Sequence, residues 1–467
     1  MIPILLALAC AKQPDAPMNF LTQPPAVAPT PDFTPVTPKV LTLSNGASLW
    51  YVHRPGLPLV SLNLVLPGGA TRDPVSAIGT AYLSDAMILE GAGSRDASSF
   101  SAEMDRLAVE VAVSTWGVAS VVSLDAHTGR FSEGLDLFAD AVLRPSFQQE
   151  DLDRLKESAL ADIKESMDDP RQISAVVRDQ VYYGDGHPLA PPIGGTTSGL
   201  NATTLDSLKA SWAERYAPAK ATFILVGDVA ESDAIAALES RFGDWTGEGT
   251  QAPIRAPERP TTGPQLVFVD HPGTSQTSLR VVMPAPASGT DAAVPAQLGS
   301  IVLGGTFTSR LNQLLREEKG YTYGARARVS AWTTHGTLSA STSVQRDVSA
   351  PALKDLLGEL TRYLEGIDEA ELTKARSAKK TRAIEAMGSR SDIASVFAAL
   401  AANNRPVSAL NESLEQAQTA KVEDIHAAIQ GSRLDQAVIV VVGDLEKIQT
   451  SIEEAVPGGW TTLPRPE

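Results

Sequence analysis

LWYVHRPGLPLVSLNLVLPGGA, residues 49–70, and LVFVDHPGTSQTSLRVVMPAPA, residues 266–287, are the stretches on which the fold turns. Laid together, Pro55 falls on Pro272, Gly56 on Gly273, Ser61 on Ser278, Leu62 on Leu279 and Pro67 on Pro284, each pair 217 apart. A second pair keeps the spacing: FILVGDV ends at Val229 and IVVVGDL at Leu445, so that Gly227 falls on Gly443 and Asp228 on Asp444, 216 apart. Two separate segments whose offsets agree to within one residue imply a tandem duplication of a domain of about 210 residues. The halves are expected at residues 39–246 and 265–467, with the Pro- and Gly-rich stretch 247–264 as the linker.

The grammar within a half names its fold class. Leu41 to Val52 reads as a hairpin around Asn45-Gly46. Val60 to Leu66 and Ala221 to Val226 read as strands, and Glu110 to Leu124 as paired strands. Apolar spacing predicts helices over Ile78 to Leu89, Phe131 to Leu143 and Gln148 to Met167, with Pro170 ending the last. Strands followed by runs of helices imply an α+β fold. Each domain is expected to be a mostly antiparallel sheet with helices packed on one face.

Composition narrows the function. Of 467 residues, 43% are hydrophobic and 20% charged, which excludes global disorder, collagen and coiled coil. The formal charge of −16, without basic blocks, disfavours nucleic acids and anionic membranes as partners. A single cysteine, Cys10, leaves no intrachain disulfide and no cysteine metal site. It ends the short apolar run MIPILLALAC and resembles the lipidation point of a bacterial lipoprotein signal, although no Lys or Arg precedes the run. The reading is a signal over residues 1–10 and a Pro/Ala-rich tether over 11–38. Membrane contact is then through a lipid anchor only, on the periplasmic side of the cell envelope.

No G-x-S-x-G elbow, Walker loop or G-x-G-x-x-G is present. The six histidines are His53, His127, His187, His271, His335 and His426, none close enough to another to share a helix face around a metal. Each is expected at the surface or as a cap.

The segments LTLSNGASLWYV, GTAYLSDAMILEGAGSR, YGDGHPLAPPIGG, LGGTFTSRLNQLLREEKGYTYG and VIVVVGDL, with the duplication, resemble the insulinase, pitrilysin and mitochondrial-processing-peptidase family of inverted-motif zinc peptidases. The resemblance spans residues 40 to 445 and implies two domains forming half of a clamshell. Active members carry H-x-x-E-H on the first long helix, two imidazoles one turn apart holding zinc and a glutamate acting as base. Here Tyr82 and Ala86 stand at the imidazole positions, Asp85 at the base, and Asp162 at the distal ligand. Alanine has no donor atom and tyrosine is a poor ligand, so no metal is expected at these positions.

The family's second half carries an Arg and, seven residues on, a Tyr, which bind substrate and stabilise the oxyanion. LLREEKGYTYG supplies Arg316 and Tyr323 at that spacing, with Tyr321 as the rival tyrosine. Upstream, Gly304-Gly305 and Ser309-Arg310-Leu311 match the family's glycine-rich turn and helix start. The resemblance therefore implies the non-metal subunit of a heterodimer with a homologous zinc-bearing peptidase. Such a chain is inactive alone, needs no cofactor of its own, and acts on peptides only with its partner. Two alternatives remain: a non-catalytic peptide-binding scaffold of the envelope, and an active metallopeptidase with a non-standard site at Tyr82, Asp85 and Asp162.

Overall fold

A computed structural model describes residues 33–249, 254–258 and 263–466. The signal, Cys10 and most of the tether lie outside the described residues. Two six-stranded sheets carry the fold. The first is built from β1 (Lys39–Thr42), β2 (Ser48–His53), β3 (Leu59–Pro67), β4 (Glu110–Thr115), β5 (Ala119–His127) and β6 (Thr222–Gly227), ordered β1-β2-β6-β3-β5-β4. The second is built from β7 (Gln265–Asp270), β8 (Gln276–Ala285), β9 (Ala325–Ala331), β10 (Gly336–Gln345), β11 (Val438–Gly443) and β12 (Trp460–Leu463), ordered β9-β10-β8-β11-β7-β12. Both sheets are mostly antiparallel; β2 runs parallel to β6, and β7 parallel to β11 and β12.

The sequence repeat is also a repeat of register. Leu62 lies opposite Leu124 and Leu225, and its counterpart Leu279 lies opposite Thr342 and Val441. The edge next to β2 and β7 is filled differently. In the first sheet β1 precedes β2 and pairs antiparallel; in the second β12 comes from the chain's far end and pairs parallel. The β1–β2 hairpin turns through Leu43–Ala47, longer than a two-residue turn. Gly46 supplies the positive φ of 85°, and Asn45 Oδ1 accepts from the Ala47 N–H at 3.0 Å.

The helices that matter to the site are α1 (Thr80–Met87), α2 (Phe131–Leu143), α3 (Gln149–Ser166), α4 (Pro170–Tyr183), α5 (Leu205–Arg215), α6 (Ser349–Glu365), α7 (Glu369–Glu385) and α8 (Arg390–Ala402). The bounds of α2 are those its apolar spacing gave. Pro170 does more than end α3. It is the first residue of α4, where its missing N–H costs nothing, and the Asp169 carboxylate caps the turn by accepting from the Arg171 N–H at 2.9 Å.

Each sheet packs its own helices on one face: Leu62, Leu64 and Leu66 join Leu135 and Phe138 in the first core. The opposite face is covered by a helix from the other half. α8 lies over β3 and β6, where Phe397 meets Trp50 edge-on at 6.3 Å. Arg54 reaches from the first half to donate to the Met387 and Gly388 carbonyls, at 3.1 and 3.0 Å. Reciprocally, Ile173 and Val177 of α4 pack on Val282, Val440 and Val442 of the second sheet, and the Ser174 and Ser278 hydroxyls bond at 2.9 Å. The exchange buries the central strands on both faces, which is why β6 and β11 read as unbroken apolar runs. The described residues from Thr34 onward accordingly form one compact unit.

Two histidines sit inside this junction rather than at the surface. His187 stacks on Tyr183 at 4.8 Å and His335 on Trp332 at 4.8 Å, whereas His127 does act as a cap, accepting from the Gly129 N–H at 3.0 Å. His187 is held neutral. Its Nδ1 accepts from the Leu189 N–H at 3.1 Å, which leaves Nε2–H to donate to the Arg255 carbonyl at 3.0 Å. Burial lowers its pKa below the usual value, outweighing the Arg255 carbonyl that raises it. A depressed histidine pKa means that the unfolded chain binds the proton first. This contribution to stability is complete above the unfolded pKa near 6.5 and is lost as pH falls through the folded one. The urea midpoint of the wild-type chain should therefore drop between pH 7 and pH 5 more than that of His187→Gln. Equal drops would place the acid sensitivity elsewhere.

Candidate functional site

Helix α1 is short and starts without a side-chain cap of its own. Gly79 takes φ 106°, and the Asp73 carboxylate, six residues back, accepts from the Gly79 and Ala81 N–H groups, both at 2.7 Å. Burial raises the Asp73 pKa to about 6 against these two bonds and Arg215, which lower it.

The base position of the helix is fully engaged. Asp85 is 1% exposed, and its Oδ1 accepts from Arg215 Nη1 at 2.8 Å and from the Tyr216 hydroxyl at 3.0 Å. Its Oδ2 accepts from Thr115 Oγ1 at 2.7 Å and from Ser120 Oγ. Arg215 is as deeply buried and also donates to Ser120 Oγ at 2.6 Å and to the Ala81 carbonyl at 3.4 Å. Burial works against its charge, but Asp85 and then Tyr216 outweigh it, and the Arg215 pKa is raised. The Tyr216 phenol is pushed well above its usual value by burial and by Asp85. A carboxylate with four donors on two oxygens has no lone pair directed at a water, so Asp85 is a structural anion rather than a base.

Tyr82 is half-buried against the apolar cluster that joins α1 to α3 through Leu83, Met87, Leu152 and Ala159. Ala86 is half-buried and offers no donor. Asp162 is exposed on α3. Among the described residues no three His, Cys, Asp or Glu side chains gather closely enough to share a metal. These four positions do not fit a zinc ion, because the one carboxylate facing inward is spent on Arg215.

The second set of residues sits on an irregular segment. Ile301–Gly305 and Gln313–Glu318 are π-helical turns on either side of a short α-turn, Arg310–Asn312. Gly304 is required there, since a Cβ would lie 2.2 Å from the Ala327 nitrogen. Asn312 ties the loop down: its amide donates to the Thr306 and Ala325 carbonyls at 3.0 and 2.9 Å, and its Oδ1 accepts from the Ala325 N–H at 2.9 Å. On this frame the Arg316 guanidinium lies 4.0 Å above the Phe307 ring, and its Nε is 3.4 Å from a Glu317 oxygen. Tyr323 is 94% exposed and makes no hydrogen bond among the described residues. Tyr321 is half-buried against the second core. No hydrogen bond or ion pair among the described residues joins Arg316 or Tyr323 to α1.

Sequence reasoning missed the partners of Asp85. Thr115, Ser120, Arg215 and Tyr216 lie 30 to 131 residues away along the chain, and no local pattern signals them. It also missed Phe307, whose one signal is an aromatic residue in an otherwise small and polar turn.

Two family models match the chain, and the second of them runs across the stretch 247–264. A family model described as insulinase (peptidase family M16) matches residues 50–186, and one described as peptidase M16 inactive domain matches residues 202–379. An uncharacterized zinc protease of Mycobacterium tuberculosis is 22% identical over 408 residues, 86% of this chain and 92% of that protein. One of Bacillus subtilis is 24% identical over 348 residues, 73% of this chain and 82% of that protein. Among solved structures, a peptidase M16 inactive domain from Pseudomonas fluorescens superposes with a TM-score of 0.81 at 26% identity, covering 87% of this chain and 98% of that one. A protease from Helicobacter pylori gives 0.79 at 19%, covering 87% and 99%.

Proposed function

The chain belongs to the insulinase family of peptidases (M16), and from that premise we infer that it is the non-metal subunit of a two-chain zinc peptidase, supplying Arg316 and Tyr323 to its partner's active site. One contrast carries the reading. The metal-motif helix has its only inward carboxylate locked to Arg215, while Tyr323 is open to solvent and the Arg316 guanidinium, seven residues before it in the chain, is held on an aromatic ring. A phenol with no internal task and a cation on the same segment of chain suit a transition state that gains negative charge. Both groups donate hydrogen bonds to the oxyanion of the tetrahedral intermediate, whose charge they meet without reorganising.

The test pairs this chain with a homologue from the same organism chosen for an intact H-x-x-E-H. Each is purified alone and then mixed, and cleavage of a fluorogenic peptide is followed. Neither chain alone should turn over the peptide, and the mixture should. Full activity of the homologue by itself, or chelator-sensitive cleavage by this chain alone with one zinc bound, would overturn the assignment.

A further inference from the structure

Helix α4 covers only part of the second sheet's outer face. It lies over β8 and β11, where Ile173 and Val177 meet Val282, Val440 and Val442. On β9 and β10 the same face carries Arg326 and Arg328, both exposed, and Ser339, Ser341 and Ser343, all half-buried. Their neighbours settle the face: Ala325, Ala327, Leu338 and Ala340 alternate with them and belong to the second core. Arg280 of β8 stands opposite Ser341, and Ser341 opposite Arg326, so one row across three strands reads Arg-Ser-Arg. Arg326 and Arg328 make no hydrogen bond or ion pair among the described residues. Arg280 donates to Ser174 Oγ at 3.2 Å and to the Arg171 carbonyl at 3.4 Å, both neutral. Burial and the Arg178 guanidinium push its pKa down to about 10, which leaves it charged at neutral pH. Asp179 works against that fall, but it is itself bonded to Arg178, at 2.8 Å.

The duplication shows that the fold does not require these cations. At the corresponding ladder positions the first sheet has Asn63, Ser123 and Ala112 in one row, and Val65, Val121 and Ser114 in the next. The second sheet has Arg280, Ser341 and Arg326, then Val282, Ser339 and Arg328. Each of the three guanidiniums thus stands where the other half has a neutral side chain. The first half's face instead carries Asp125 and Glu110, directly opposite each other. In a chain of net charge −16, a face with three arginines and no carboxylate runs against the overall balance.

We propose that the open face of β9 and β10 docks an extended acidic peptide segment, its carboxylates on Arg326, Arg328 and Arg280 and its backbone over the serines. Side chains two apart on a strand are about 6.6–6.8 Å apart, so Arg326 and Arg328 match acidic residues at alternate positions of an extended chain. A guanidinium takes a carboxylate with two parallel bonds, and the short serines between the arginines let a second chain lie close. Charge also selects the length of the occupant. A long polyanion meets the repulsion of the whole acidic chain, whereas a short peptide responds to charges within a Debye length, about 8 Å at physiological salt. The face adjoins the segment that carries Tyr323. Thr342 Oγ1 of β10 lies 3.0 Å from Thr322 Oγ1 and 3.1 Å from the Gly324 carbonyl, which ties the residues flanking Tyr323 to the sheet. In the two-chain peptidase the face would select substrates with acidic residues near the cleaved bond; that step rests on the proposed function, while the docking does not.

The experiment uses this chain alone, so its result is independent of any partner. The acetylated and amidated pentapeptide Glu-Ala-Glu-Ala-Glu is titrated into it by calorimetry, alongside the same peptide with glutamine in place of glutamate. Saturable one-to-one binding is expected for the acidic peptide, weakening as salt is raised, and at least tenfold weaker for the glutamine peptide. Arg326→Ala/Arg328→Ser installs the residue types that the first half carries at Ala112 and Ser114, which the fold accepts there. It should weaken the acidic peptide at least tenfold. Lys164→Gln/Lys354→Gln removes the same net charge from exposed positions on α3 and α6 and should bind as wild type. No saturable binding of the acidic peptide, equal binding of the glutamine peptide, or wild-type binding by Arg326→Ala/Arg328→Ser would overturn the proposal. So would tighter binding of tripolyphosphate than of the peptide, the mark of a face that takes any anion. Inactivity of the mixed subunits would instead count against the proposed function and leave this result standing.

Discussion

Replacing Arg215 with methionine should cost about 3–5 kcal/mol of stability, because it strips the cation from a buried carboxylate and leaves the carboxylate in place. Asp85 would keep the Thr115, Ser120 and Tyr216 hydroxyls, but three neutral donors do not offset an uncompensated charge that is 1% exposed. Asp85→Ala should be similarly costly, since among the described residues the guanidinium then keeps hydrogen bonds to Ser120, Ser211 and the Ala81 carbonyl but loses its one directly bonded carboxylate. Removing both charges in Asp85→Ala/Arg215→Met should cost clearly less than the two single changes together, the mark of a coupled pair. Urea unfolding of the four proteins reads this directly. An Arg215→Met chain within about 1 kcal/mol of wild type would show that the pair is not what holds α1 to the sheet. The same geometry bears on any attempt to restore the zinc motif. Asp85→Glu must fit one more methylene into a cage closed by four donors, so it overpacks unless Arg215 is changed as well.

What the chain discloses in one dimension divides by range. The duplication was legible because both halves kept the same residues at the same ladder positions, Leu62 and Leu279 among them. Helix α2 was legible because its apolar stripe ends where the helix ends. The exchange of α4 and α8 between halves was not. Its only trace is that β6 and β11 are apolar on both faces, and that trace does not say which helix does the covering. The fate of the degenerate motif was half-legible. That Ala86 holds no metal follows from its chemistry; that Asp85 became an anchor for Arg215, 130 residues away, required three dimensions. For His187 and His335 the stacking rings, Tyr183 and Trp332, are near in sequence, but the contact that brings Tyr183 against His335 across 152 residues is not announced by either neighbourhood. Arg316 and Tyr323 were named from spacing and resemblance, and the structure adds the Phe307 ring under the guanidinium and the solvent around the phenol.

That exposure makes Tyr323→Phe the most discriminating change in the molecule. The phenol is 94% exposed and makes no hydrogen bond among the described residues, so removing its oxygen should leave folding and assembly untouched. If it donates to the oxyanion of the two-chain enzyme, kcat should fall by about 10²–10³, or ~3–4 kcal/mol, because a lost oxyanion donor costs that much. KM should stay near its wild-type value, as the bond is made in the transition state and not in the ground state. Arg316→Ala should lower kcat and also raise KM, since a guanidinium attracts the ground-state carbonyl as well. It also leaves the Phe307 ring uncovered, so Arg316→Lys is the companion variant; it keeps the charge and loses the fork. Tyr321→Phe is the control, because Tyr321 packs on the second core through its ring, and it should change neither constant. The measurement is steady-state turnover by the mixed subunits, with the dimer confirmed by size-exclusion chromatography for each variant. Wild-type kcat in the Tyr323→Phe complex would remove the phenol from the chemistry. The segment that carries Arg316 and Tyr323 would then serve to hold peptides rather than to break them.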